Sequence, residues 1–587
     1  MNKNIFLDVN VSRKLFIVAL FIIVLFPLLM LGDNPGLYYD AVNPDYGAVC
    51  LLHPQNQYSK LYFAAYPMLC QIYHGSFNVL LSLIDTVLTG KTSVLQHHLE
   101  SGIVIFFCLL MVGFILEQNF GRCKKNWMLL IFFATMPCLV TFPLTQYYIE
   151  LPGTFFTLLS LFLYGKMRKE LDDKKSLLLM VISFYVLGFA FYTYYNFLFF
   201  FPGMLVLSIL QKNGKMNCFK AFILSCFSFL AGAVLYPIGY LKMFLVWKKY
   251  GDLFIPLALF VFLAIYGATL ILLWIACKKD DKIFSIAAII ASLFGIAFFV
   301  LFIYKFYPRF SEIATALNVG GDKADLKTRF LKLFHYIKVA FSGTDGEFLI
   351  YGTIQSKFQF SFFCVFLILN CIYLVYSIKT KRWINSLSLR LLFIVALYFL
   401  CSLKFATRMQ TQHFVPFAFI FFLLAAIEIN ELLENTLVLR VRKVLFFILG
   451  LFFLCNIHDR YKIVSHILYT GGTINYMYTN QINKLAYDAI DHIHNGQKEI
   501  YLFPEWGFLT GFCYLTENRI AYSTDIRDSA LTEYTERGYT IIICSWKDIT
   551  PYEEKLRQHD LVTERQIYLQ NNGDVAFYTV RAIAKGE

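Results

Sequence analysis

Charged side chains are scarce in this sequence: Asp, Glu, Lys and Arg make up 16% of 587 residues, where soluble domains carry about 25%. The shortage excludes a cytosolic enzyme, a disordered chain and a disulfide-stapled secreted module. CxxC pairs of the zinc-binding kind are missing as well. Of the 14 cysteines, Cys108, Cys138, Cys226, Cys364, Cys371, Cys401 and Cys455 lie inside apolar runs, where sulfur packs as a small hydrophobe. Cys50 with Cys70, or Cys513 with Cys544, are the pairs that an oxidising compartment would allow to bond. No small-residue cleavage site follows the first apolar run in Gly32-Asp33-Asn34-Pro35, so that run is expected to stay as an anchor.

What is abundant is apolar surface. Hydrophobic residues make up 58%, with 63 Phe and 38 Tyr, and the mean hydropathy is +0.59. A bilayer is the solvent such a chain requires. Spanning its core takes about 20 helical residues, and thirteen runs approach that length: 15–31, 103–116, 127–142, 149–164, 177–191, 197–210, 219–240, 253–276, 283–304, 358–378, 391–403, 414–429 and 444–455. The net charge of +13 does not gather on one soluble face, so nucleic acid is not an expected partner. With the N-terminus cytoplasmic, the short inner loops hold Arg122, Lys124 and Lys125, then Lys166, Arg168 and Lys169, then Lys379, Lys381 and Arg382, then Arg440, Arg442 and Lys443, as the positive-inside rule requires. One outer loop, with Lys242, Lys248 and Lys249, dissents.

An odd number of spans places three large pieces outside: 32–102, 305–357 and the tail. The expected organisation is an all-α polytopic membrane domain over 1–456 and a small soluble α/β domain over 457–587. In the first outer loop, Asp40 and Asp45 flank Pro44 near the membrane boundary; a solvated loop with a helix-capping Asp and a catalytic role both remain open. Tyr73-His74-Gly75-Ser76 opens an apolar helix, with glycine allowing close backbone approach. In the second outer loop Leu326, Phe330, Leu333, Phe334, Ile337 and Phe341 recur at helical spacing among lysines and Arg329, the pattern of an interfacial amphipathic helix. The tail reads as strands at 499–503, 540–544 and 575–580 between helices at 480–494 and 551–559. It holds no nucleophile, metal or phosphate motif, and an accessory role is expected for it. Ionisable groups at the lips of spans are costly and point to function: Glu150 before Leu151-Pro152, and Arg408 with His413 before Phe414-Val415-Pro416. Snorkelling and interfacial anchoring are the competing readings of each.

Taken together, these features resemble the GT-C superfamily of polytopic glycosyltransferases, in particular the protein O-mannosyltransferase and aminoarabinose-transferase-like branch that uses polyprenyl-phosphate sugars. The positions that carry the resemblance are Asp45, where the family shows an Asp-Glu pair, Tyr73-His74-Gly75 with Gly90, Glu150-Leu151-Pro152 in place of Asp-x-Pro, and His413-Phe414-Val415-Pro416 in place of Arg-Tyr-x-x-Pro. Tyr46 follows Asp45 where Glu is usual, and His413 stands where Arg is usual, so donor-phosphate contacts are expected to have moved to Arg408, Lys60 or the second outer loop.

The resemblance implies transfer of a sugar from a membrane-bound polyprenyl phosphate to an acceptor on glycan, lipid or protein at the outer face of a bacterial cytoplasmic membrane, with inversion. On it, Asp45 is the expected general base with Asp40 second, Glu150 binds sugar or acceptor, Arg408, His413 and Lys60 hold the donor phosphate, and Tyr73 and His74 line the substrate site. No cofactor is expected; a divalent metal on Asp40, Asp45, Glu150 and His74 is conceivable, and a metal-free site is favoured. A lipid-linked saccharide transporter or flippase, an O-antigen polymerase or ligase, and a non-enzymatic scaffold remain as alternatives.

Overall fold

The computed structural model describes residues 9–584 apart from 38, 55–67, 71–73, 146–148, 211–217, 343–360, 376–385, 407–408, 435–438 and 473–477, and describes 247–323 and 361–375 only in part. The described helices are α1 (Val9–Leu31), α2 (Asn43–Leu52), α3 (Phe77–Thr89), α4 (Val94–Phe120), α5 (Lys124–Ala134), α6 (Cys138–Thr141), α7 (Leu151–Lys169), α8 (Asp173–Thr193), α9 (Phe201–Leu210), α10 (Cys218–Gly232), α11 (Leu235–Val246), α12 (Leu326–Ser342), α13 (Leu387–Ser402), α14 (Val415–Glu434) and α15 (Leu439–Thr470). The first outer loop adds a short antiparallel pair, β1 (Leu69–Cys70) and β2 (His74–Gly75). The molecule is a multi-pass membrane protein with a helical bundle and a C-terminal sheet.

Among the described residues, five segments are long and apolar enough to cross a membrane: Arg13–Leu31, Val94–Phe120, Asp173–Thr193, Leu387–Phe405 and Thr411–Glu431. A bent pair, Lys124–Ala134 with Cys138–Leu144, makes a sixth if it counts as one span. The expected count of thirteen is therefore not reproduced. The runs 253–276, 283–304 and 358–378 lie largely outside the described residues. Others that the sequence reads as continuous are broken: 219–240 divides into α10 and α11, and 127–142 bends by 64°. The second break has a local cause in Pro137, which offers no amide hydrogen and biases Met136 away from helical geometry.

Breaks at membrane depth expose carbonyls that lipid cannot satisfy. Here α15 repairs them. Arg460, 8% exposed, donates from Nη1 to Ala134 O at 2.8 Å, the end of α5, and from Nη2 to Ile23 O at 2.9 Å. Ile23 lies four residues before Pro27 of α1, so proline has removed the amide that would otherwise bond that carbonyl. One turn earlier on the same face, Asn456 donates to Thr135 Oγ1 at 3.3 Å and lies 3.4 Å from Met136 Sδ. A single guanidinium thus ties the proline site of α1 to the break after α5.

The tail holds α16 (Gln481–His494), β3 (Glu499–Leu502), α17 (Leu509–Leu515), β4 (Ala521–Ser523), α18 (Asp528–Glu536), β5 (Thr540–Ser545), α19 (Thr550–Gln558), β6 (Leu561–Leu569) and β7 (Val575–Ala584). Its sheet runs β4-β3-β5-β7-β6, with β3 parallel to both β4 and β5 and β7 antiparallel to β5 and β6. The buried face does not close on itself. Leu37, Val42, Tyr46 and Val49 of the first outer loop share one core with Tyr501, Phe503, Phe512 and Phe577 of the tail. Tyr46 Oη meets Tyr522 Oη at 2.6 Å, Thr510 Oγ1 donates to Tyr39 O at 3.0 Å, and Thr92 Oγ1 to Tyr514 O at 2.9 Å. Cys50, Cys70, Cys513 and Cys544 are free and buried, so neither of these two pairs is bonded.

Replacing Arg460 with Met fills the volume and leaves two buried carbonyls unpaired. Each orphaned group costs about 1–3 kcal/mol, so the variant in detergent is expected to unfold several degrees below the wild type. Equal melting temperatures would show that the two carbonyls find other donors.

Candidate active site

Two buried carboxylates stand near the first loop's helices α2 and α3, each paired with a histidine from another helix or turn. Asp45 sits in the first turn of α2, just after Pro44, where proline suits the opening position and the helix dipole favours a negative charge. Its side chain does not cap the helix; it points into the protein and is 0% exposed. Ser82 Oγ of α3 donates to Oδ1 at 2.7 Å, and His97 Nδ1 of α4 lies 2.9 Å from Oδ2. Both oxygens are engaged.

Glu150 directly precedes α7 and is 1% exposed. Its Oε1 lies 3.1 Å from His413 Nδ1, while Oε2 is buried without a hydrogen-bond partner. His413 sits in a 3-10 turn, Thr411–Phe414, that leads into α14. That turn is held from behind: Asn196 Nδ2 and Tyr398 Oη donate to His413 O at 3.3 and 2.9 Å. Tyr195 Oη is 3.5 Å from His413 Nε2. With a carboxylate at Nδ1, the ring's hydrogen is assigned there, and Nε2 is the acceptor.

An aromatic row extends from this pair to the first outer loop. The Tyr194 ring lies 5.3 Å from that of His413 and 4.6 Å from that of His74, and His74 also forms an isolated backbone bridge with Tyr194. Gly75 makes this approach possible: a Cβ there would meet Tyr192 O at 1.9 Å. The expectation of close approach at this glycine is met. The outer helix α3 lies between the two acids, since Ser82 reaches Asp45 while Asn78, one turn earlier, donates to Ile149 O at 3.3 Å, next to Glu150.

Of the residues expected from sequence, the structure gathers Glu150, His413 and His74 into one cluster and places Asp45 in a neighbouring one. Asp40 is half-buried ahead of α2. Lys60, Tyr73 and Arg408 lie outside the described residues. Sequence reading missed Ser82, His97, Tyr195, Asn196 and Tyr398. His97 was findable, because it stands with His98 near the start of a long apolar helix, the same signal that singled out Glu150. Among the described residues, no three His, Cys, Asp or Glu side chains form a set able to hold a metal. The amphipathic helix of the second outer loop is present as α12 and packs over the His413 turn: Tyr336 stacks near Phe414 at 6.5 Å, with Lys332 Nζ 5.8 Å from the Tyr336 ring. A hollow of about 700 Å³ lies elsewhere, between α1, α5 and α15, lined by Phe16, Met128, Phe132, Leu449 and Phe453 with Lys125.

Burial, with His413 nearby, holds the His74 imidazole down at about 3 against an ordinary 6.5. The folded chain therefore keeps this ring neutral while the unfolded chain protonates it below about 6.5. Stability from it is complete above that pH and declines as pH falls towards 3, by up to ~1.4 kcal/mol per pH unit. His74→Phe keeps a ring against Tyr194 and is expected to flatten part of the acid loss seen in denaturant midpoints; an unchanged slope would refute the assignment.

No protein-family model matches the chain, and no curated protein matches it. Among solved structures it is similar to the oligosaccharyltransferase AglB from the archaeon Archaeoglobus fulgidus, in complex with an inhibitory peptide and a dolichol-phosphate, with a TM-score of 0.48, 10% identity and coverage of 93% of this chain and 71% of that chain. The apo form of the oligosaccharyltransferase from that organism gives 0.49 and 12% over the same shares. ArnT from Cupriavidus metallidurans, bound to undecaprenyl phosphate, gives 0.41 and 11% over 98% of both chains. These neighbours are GT-C superfamily glycosyltransferases, and at such identities and TM-scores no residue's role carries over from them.

Proposed function

We propose that this chain is a glycosyltransferase that moves a sugar from a polyprenyl-phosphate-linked donor to an acceptor hydroxyl at the outer face of a bacterial cytoplasmic membrane, with the N-terminus inside and the tail outside. The observation that carries the reading is Glu150: one carboxylate oxygen is fixed by His413 and the other is buried with no donor. A buried acceptor left unpaired is costly, and the hydroxyl of a bound substrate supplies the missing donor.

In this reading the acceptor oxygen attacks the anomeric carbon as the bond from that carbon to the phosphate oxygen breaks. The hydroxyl proton passes to Glu150 Oε2, and polyprenyl phosphate leaves with its electron pair. One displacement inverts the anomeric centre. His413 keeps the carboxylate aimed, and Tyr195, Asn196 and Tyr398 keep His413 in place. The phosphate's growing charge needs cations nearby; Arg329, Lys332 and Lys338 of α12, packed beside the His413 turn, are candidates together with Arg408 and Lys60. Tyr194 and His74 form an aromatic row beside His413.

Asp45 keeps a second reading because it also pairs with a histidine. For it to act as base, Ser82 or His97 must first release one of its oxygens. The geometry therefore ranks Glu150 ahead of Asp45.

Purified protein supplied with a radiolabelled polyprenyl-phosphate sugar and membrane acceptor extract tests this. Glu150→Gln is expected to lower the transfer rate by about 10²–10⁴-fold while folding normally, and Asp45→Asn to lower it less. A dead Asp45→Asn beside an active Glu150→Gln moves the base to Asp45. Translocation of the lipid without any transfer replaces the enzyme reading with a transporter.

A further inference from the structure

The hollow between α1, α5 and α15 is not used by the proposed transfer. It encloses about 700 Å³, and its wall includes Phe16, Lys125, Met128, Phe132, Phe446 and Phe453. Met128 and Phe446 are exposed, so the hollow is open to the surrounding bilayer. The three helices run in the same direction: early residues of each, Phe16, Lys125 and Phe446, line the hollow, while later ones, Ile23, Ala134 and Arg460, are joined by hydrogen bonds. Beyond the hollow, Arg460 and Asn456 draw the helices together. Alongside it the helices stand apart.

Two observations say what suits this space. The first is shape. Gly450 lies inside the long helix α15, where glycine is a poor helix former, and it lines the hollow with nothing within 4 Å of the place a Cβ would take. The second is charge. Lys125 is the one charged residue on the wall among the described residues. Phe16 also lines an adjoining narrow recess together with Arg13, Glu117, Arg122 and Lys124. Its acid is already engaged: Glu117 Oε1 lies 3.2 Å from Arg13 Nε and accepts from Trp127 Nε1 at 3.0 Å. Among the described lining residues there is no second acid to offset Arg122, Lys124 and Lys125. Helix α5 begins at the same place with no side-chain cap from Cys123, so its first amides add to the positive end.

We propose that this hollow binds one anionic phospholipid, with an acyl chain lying between Gly450 and α5 and the phosphate at the start of α5 beside Lys124, Lys125 and Arg122. The binding is independent of the transferase reading. A basic rim on an apolar slot between membrane helices is the arrangement that holds acidic lipid headgroups, and uncapped helix amides suit a phosphate. The depth agrees. Lys125 to Phe132 on α5 and Phe446 to Phe453 on α15 each rise about 10 Å, within the ~15 Å that the hydrocarbon of one leaflet provides. A zwitterionic lipid brings the same chains and phosphate, but its ammonium group meets three cations. Net charge therefore decides which lipid stays.

The test is native mass spectrometry of the full-length protein, delipidated in detergent and titrated with dioleoyl phosphatidylglycerol or dioleoyl phosphatidylcholine. One phosphatidylglycerol is expected to bind about tenfold more tightly than phosphatidylcholine. The double substitution Lys124→Gln with Lys125→Gln should remove that preference and leave phosphatidylcholine binding unchanged. Gly450→Leu improves the helix and puts a side chain into the slot, so it should weaken both lipids about tenfold while melting no lower than the delipidated wild type. The proposal falls if the wild type binds the two lipids equally, if the double lysine variant keeps the preference, or if Gly450→Leu binds phosphatidylglycerol as the wild type does. It also falls if the delipidated wild type is a dimer that Gly450→Leu dissociates, which would assign the hollow to a second copy of the chain.

Discussion

Hydrocarbon offers no hydrogen bonds, so each backbone carbonyl released at a kink or break must find a donor within the protein. Pro27 leaves Ile23 O without its amide and the bend after α5 leaves Ala134 O at a helix end, and Arg460 reaches both with one planar group. Lysine, with its point charge, could not span both as a fork does. Because the break is satisfied, the chain after α5 can turn through α6 instead of continuing straight, ahead of Glu150 in sequence. The position of the candidate carboxylate thus follows from a repair made on the opposite side of the bend by a helix more than three hundred residues later.

Much of this arrangement was legible beforehand. The tail's strands at 499–503, 540–544 and 575–580 match β3, β5 and β7 within a few residues, because central strands buried on both faces read as unbroken apolar runs. The exposed strand β6, with a mostly exposed pattern, and the three-residue β4 gave no such run and were missed. Gly75 was legible because a glycine before an apolar helix has few other uses. The break in 127–142 was not legible, because hydropathy sums composition and does not register where Pro137 bends the path. Glu150 and His413 stood out singly as polar groups at apolar ends. Their pairing was not legible, since it joins positions 263 residues apart through a fold that periodicity does not specify.

The tail was expected to be accessory, and its packing gives that word a physical meaning. Helix α2 is held between α3 on one side and α17 on the other, with Tyr46 reaching into the tail while Asp45, the residue before it, faces the bundle. Adjacent residues on a helix point about 100° apart, so one short helix serves both cores at once. Loosening the sheet would free α2 and with it the Asp45–His97 pair, so the tail contributes to the order of that pair.

The two acid–histidine pairs differ in what they leave open. A buried carboxylate bonded through both oxygens is fully oriented and has nothing to offer an incoming hydroxyl until a bond breaks. One bonded through a single oxygen keeps its direction and retains a buried acceptor. Asp45 is of the first kind and Glu150 of the second. With α3 bonded to both neighbourhoods through Ser82 and Asn78, any shift of that helix needed to admit a substrate beside Glu150 also strains the Ser82 bond to Asp45. The closed pair therefore acts as a restraint on the helix that borders the open one, and in the proposed reaction a substitution at Asp45 would be felt at Glu150 through α3.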